Sequence, residues 1–80
     1  MEEKSIYTLA ELFAYLPISL AELARRSHIN EVTLARIRDG KMARRDTANR
    51  LLNELSAVYG RRISYGNVSG LHVQGEEIAA

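Results

Sequence analysis

The sequence predicts an all-α domain of four or five short helices, followed by a brief extended segment. Three observations carry that reading. Apolar residues recur at helical spacing in consecutive segments. A capping signal stands before each segment, at Thr8, Ser19, Asn30 and the Asp46–Thr47 pair. A breaker stands behind three of them, at Pro17, Gly40 and Gly60.

Residues 1 to 7 are mainly polar, with Ile6 and Tyr7 expected to anchor on the core. Thr8 with Glu11 makes a capping box and opens a helix over about 8 to 16. Leu9, Leu12, Phe13 and Leu16 follow the i, i+3, i+4, i+7 rule of a one-sided helix. Pro17 stops it, because proline disfavours helical backbone in the residue before it. Ser19 with Glu22 is a second capping box, with Ile18 in the staple position, and the next helix runs about 20 to 26. Leu23 and Ala24 share its inner face, and the small Ala24 lets another helix cross close by. Ile29 plugs the four-residue turn that follows. Asn30 caps a third helix, about 31 to 38, whose Leu34 and Ile37 lie three apart on one face.

Lys41 to Arg45 reads as a basic loop. A fourth helix, about 47 to 59, takes its cap from Asp46 or Thr47 and carries Ala48, Leu51, Leu52, Leu55, Val58 and Tyr59 as a broad apolar stripe. Beyond Gly60 two readings compete. One is a helical turn at about 64 to 69 capped by Ser64; the other is a β-hairpin turning near Gly66-Asn67. The helical turn is preferred. Gly70 then leads into an extended Leu71-His72-Val73, a lone strand in search of a partner, for which a second copy of the chain is one candidate. The division is one domain over 1–80, with its core in 8–59, a candidate dimerisation segment at 60–75 and a tail at 76–80.

Composition narrows the function classes. Eighty residues suffice for one small core. There is no cysteine, so disulfides and thiolate metal sites are out of reach. His28 and His72 stand too far apart in sequence to suggest a metal pair, and no cofactor motif appears. There is no nucleophile elbow, no phosphate-cradling glycine loop and no paired-carboxylate site, so the expectation is a protein that is not an enzyme. No apolar run approaches the roughly 20 residues that span a membrane. The acidic start, with no apolar stretch behind it, does not read as a signal peptide, and a cytoplasmic location is the default expectation.

The net charge of +1 hides a strong asymmetry. Between Arg25 and Arg62 ten cations face four carboxylates, while both ends of the chain are anionic. A cationic middle is the footprint of a polyanion ligand, or simply an arginine-rich solvated surface.

Residues 18 to 56 resemble the helix-turn-helix of the lambda-repressor-like, Cro-type family, also called the XRE family. The resemblance rests on Ile18-Ser19, Leu23-Ala24, Ile29, Leu34, Ile37, Gly40-Lys41 and the Asp46-led helix with Leu51, Leu52 and Leu55. It implies a compact helical domain that binds operator DNA, commonly as a dimer. Two positions depart from the family pattern: His28 stands where glycine is favoured in the turn, and Leu20 stands where a glutamine often meets DNA.

Carried over by position, the resemblance puts Glu31, Val32, Thr33 and Arg36 at the base edges. Ser19, Asn30, Lys41, Arg44 and Arg45 fall on phosphates. For each there is a plainer alternative. Arg36 reads guanine O6 and N7, or contacts phosphate or solvent only. Val32 meets a thymine methyl, or is partly buried under Leu20. Thr33 touches phosphate or a methyl group, or merely favours its helix turn. Glu31 accepts from cytosine N4, or only complements the positive end of its helix. Arg38 turns away toward Asp39 or Glu22, and Arg61 and Arg62 face either DNA or solvent. The leading expectation is a sequence-specific double-stranded-DNA-binding regulator, a dimeric repressor. The rival class is an antitoxin-like protein-interaction module with secondary DNA binding, its interface marked by Leu20, Val32, Leu71 and Val73. A third is an architectural binder without sequence preference.

Overall fold

A computed structural model describes residues 7–74. Four α-helices dominate it: α1 Leu9–Ala14, α2 Leu20–Ser27, α3 Glu31–Arg38 and α4 Arg45–Tyr59. A single 3₁₀ turn, Tyr65–Asn67, and two two-residue strands, β1 Tyr7–Thr8 and β2 Val68–Ser69, complete it. None of the described helices is long and apolar enough to cross a membrane. Ile6 and the 76–80 tail lie outside the described residues.

Local chemistry sets the helix starts. Thr8 Oγ1 accepts the Glu11 amide at 3.1 Å and Ser19 Oγ accepts the Glu22 amide at 3.0 Å. Asn30 Oδ1 accepts the Val32 amide at 2.8 Å. Each bond satisfies one of the four amides that a helix start leaves without a partner. The Ser19 box is half closed: the Glu22 carboxylate turns instead to Arg25 and Arg26. Helix α1 ends at Ala14, two residues short of the predicted end, and Gly60 ends α4 in the left-handed conformation.

The start of α4 corrects the expectation. The helix begins at Arg45, after an extended Arg44 that makes no side-chain cap, and Asp46 lies inside the first turn. A carboxylate there complements the positive end of the helix dipole without capping it. Just before it a contact remote in sequence forms: Ala43 makes a parallel bridge with Val73.

That bridge overturns the lone strand at 71–73. Val73 is 2% exposed, within the same core as Leu9, Leu23, Leu34, Ile37, Leu51 and Leu55. Ile63 is buried there too, so the core reaches past residue 59. Val68–Ser69 pairs in parallel with Tyr7–Thr8, a two-stranded ladder that no local pattern announces. The chain enters its last stretch at Gly70, φ +89°, where a Cβ would stand 3.7 Å from the Leu9 Cβ. The space is ordinary, so it is the backbone angle that favours glycine. The preferred helical turn is present as 3₁₀, with the Ser64 amide donating to Asn67 Oδ1 and Asn67 Nδ2 donating to the Arg62 carbonyl. Ser56 Oγ on α4 accepts the Ile63 amide at 2.9 Å and ties the segment down. Tyr59 and Tyr65 bond within the chain: Tyr59 donates to the Leu12 carbonyl and Tyr65 to Asn49 Oδ1. Burial, then the charge of Glu11, push the Tyr59 hydroxyl above its ordinary pKa.

Between α2 and α3 the chain turns at His28, φ 59° and ψ 38°. The His28 and Ile29 amides both bond to the Ala24 carbonyl, and Arg50 Nη1 on α4 donates to the His28 carbonyl at 3.4 Å. A left-handed non-glycine residue costs about 1–2 kcal/mol, somewhat less for histidine. His28→Gly is therefore expected to raise stability by about 1 kcal/mol and His28→Val to lower it, both read from urea unfolding midpoints. Equal midpoints for all three proteins would refute strain at the turn.

Candidate nucleic-acid interface

Two buried residues set the orientation of α3. Leu34 is 0% exposed and Ile37 1%, and they pin one face of the helix on the core. At 100° per residue the opposite face centres on Val32 and Arg36, four apart and side by side. Val32 is 67% exposed, which excludes its burial under Leu20. Arg36 and Glu31 are also exposed, while Thr33 is half-buried on the flank. The sequence-predicted quartet thus divides: Val32 and Arg36 occupy the centre of the outer face, with Glu31 and Thr33 beside them.

At the edges of this face, two polar caps keep donor capacity. Ser19 Oγ accepts from Glu22, which leaves its hydroxyl proton available. Asn30 uses Oδ1 as the cap and keeps its amide N–H groups. Leu20 is half-buried and packs against the core.

The arginines between residues 25 and 50 separate into two sets. Arg25 and Arg26 both reach the Glu22 carboxylate, and Arg26 also lies 3.8 Å from Glu54. Arg38 pairs with Asp39 at 3.4 Å and Arg50 with Asp46 at 3.5 Å. The hydrogen bond from Arg25, then that from Arg26, hold the Glu22 carboxyl below its ordinary pKa. By contrast, among the described residues no carboxylate lies within 4.0 Å of Arg36, Lys41, Arg44 or Arg45. Sequence reading separates Arg38 from this set. It misses the fixing of Arg45, whose guanidinium lies 5.9 Å from the Tyr65 ring centroid while the Tyr65 hydroxyl bonds to α4. Such a contact holds the cation in place without neutralising it.

The apolar quartet expected of a protein-binding face does not assemble. Val73 is buried, Leu20 and Leu71 pack on the core, and Val32 alone of the four stands exposed. Met42, 58% exposed within the basic loop, is an outward apolar residue that sequence reading passes over. No family model matches the chain, and neither a curated protein nor a solved structure does.

Proposed function

We propose that this chain is a sequence-specific double-stranded-DNA-binding regulator, a repressor of the lambda-repressor-like type that works in the cytoplasm without catalysis. In this reading α2 and α3 form a helix-turn-helix, and α3 lies in the major groove. One observation carries the proposal. The outer face of α3, the loop behind it and the first residue of α4 hold Arg36, Lys41, Arg44 and Arg45 with no carboxylate partner among the described residues, while Arg25 and Arg26 of α2 and Arg50 of α4 are paired. Arg62, beyond α4, is the other described arginine outside these pairs that has no carboxylate partner. Unneutralised cations beside an exposed valine suit a surface that meets phosphates at its edge and base edges at its centre.

In this division of roles, Arg36 reads a guanine, Val32 meets a thymine methyl, and Glu31 and Thr33 contribute from the flank. Ser19, Asn30, Lys41, Arg44 and Arg45 position the protein on the phosphates. The proposal has two copies on a two-fold site, with half-sites about one helical turn apart.

Selection of bound duplexes from a random pool, at a stated salt concentration, tests the reading. A consensus of two related half-sites is the expected result, and a pool that emerges unenriched would refute it. On the selected site Arg36→Ala is expected to lose roughly 1–3 kcal/mol of discrimination at one base pair. A competition shift assay in which the variant keeps the wild-type preference would remove Arg36 from the reading set.

A further inference from the structure

The basic loop has a neighbour that its sequence does not place beside it. The Ala43 amide donates to the His72 carbonyl at 2.8 Å, and the Gln74 amide donates to the Ala43 carbonyl at 2.7 Å. Both bonds belong to the parallel bridge between Ala43 and Val73. In such a pair, residues lie side by side about 4.8 Å apart and successive side chains alternate across the strand. Ala43 and Val73 point inward, 4% and 2% exposed. Met42 and Arg44 therefore face out from the loop, with His72 beside Met42 and Gln74 beside Arg44. All four are exposed. Among the described residues neither the His72 nor the Gln74 side chain has a hydrogen-bond partner.

We propose that His72 and Gln74 belong to the same nucleic-acid face and contact the phosphodiester backbone of duplex DNA. Residues 71–74 are then both a strap that positions the loop and a source of two further donors. This rests on the reading of Lys41, Arg44 and Arg45 as phosphate contacts. The chemistry fits the placement. A glutamine amide offers two N–H groups and an imidazole at least one, and a phosphate oxygen accepts from either. Donors to the phosphate backbone fix register without reading sequence. An uncharged amide releases no counterion, so Gln74 contributes affinity without steepening the salt dependence.

The test uses the full chain and a fluorescein-labelled mixed-sequence duplex of about 20 bp, followed by anisotropy from about 50 to 200 mM salt. Gln74→Ala and His72→Ala are each expected to weaken binding about three- to tenfold, and Gln74→Glu by more. The salt slope of Gln74→Ala should match wild type, whereas Lys41→Ala should flatten it. Amide exchange of Ala43 reports whether the bridge stays closed in each variant. Weaker binding with the Ala43 amide still protected supports direct contact. Weaker binding with that amide exposed would reduce the segment to a strap and overturn the contact. Wild-type affinity in all three variants, while Lys41→Ala binds weakly, would overturn the inference and leave the loop reading standing. If neither wild type nor any variant binds the duplex, the loop reading falls and this inference with it.

Discussion

Leu34→Ala is expected to lower the unfolding free energy by about 2–5 kcal/mol and the melting temperature by at least about 10 °C. Leu34 is fully buried on the inner face of α3, and the helix is only eight residues long. A helix of that length has little stability of its own and depends on the contacts of its apolar face. Truncation to alanine removes the transfer energy of the side chain and leaves a cavity beneath α3. For 80 residues a total stability of about 4–12 kcal/mol is ordinary, so this one change removes a large fraction of it. Leu34→Met, which nearly conserves volume, should cost less than about 1.5 kcal/mol. Thermal and urea unfolding of the three proteins check both values. Equal losses for alanine and methionine would mean that packing at this site is not what holds α3.

What is legible in the sequence follows from the range of each interaction. The starts of α1, α2 and α3 are readable because their caps are local: an oxygen at Thr8, Ser19 or Asn30 bonds an amide two or three residues on. The inner face of α3 is readable because Leu34 and Ile37 repeat at helical spacing. The turn at His28 stands out by departure from a pattern, and its left-handed backbone agrees with what glycine would supply. What escapes is long-range. Val68 pairs with Tyr7, Val73 with Ala43, and Tyr65 with Asn49, contacts that no periodicity encodes. The extended Leu71-His72-Val73 is expected from alternation, yet its partner lies in the basic loop of the same chain rather than in a second copy. The start of α4 escapes as well: Arg44 is extended like the residues before the other three helices, but it offers no side-chain cap to mark the place. For the candidate site, the outward placement of Val32 and Arg36 is readable, because helical spacing sets them opposite Leu34 and Ile37. The pairing of the cations is largely local too: Arg25 and Arg26 meet Glu22, Arg50 meets Asp46 and Arg38 meets Asp39 within four residues, and of the pairs described Arg26 with Glu54 crosses between helices.

Lys41→Glu, Arg44→Glu and Arg45→Glu together are expected to weaken binding to every duplex, whatever its sequence, by about 100-fold or more near physiological salt. On the proposed reading, in which all three meet phosphate, each loss takes about 0.9 off the slope of log affinity against log salt, so the three take off about 2.7. Extrapolated from 1 M salt to about 0.15 M, that slope alone corresponds to roughly two orders of magnitude. Reversal of charge adds repulsion on top of this. The ranking of sequences should not change, because Val32 and Arg36 keep their places on α3 and phosphate contacts carry no sequence information. The fold should survive, since all three side chains are exposed; Arg45 also gives up its place over the Tyr65 ring, so urea unfolding belongs beside the binding curves. The decisive comparison is a second variant, Arg25→Glu with Arg26→Glu. Those cations already face Glu22, and reversing them changes net charge by four against six for the loop. If local placement governs binding, the loop variant loses far more affinity and slope than that ratio predicts. If the two losses simply follow net charge, the polyanion is held by the field of the whole chain, and the loop has no special part in it.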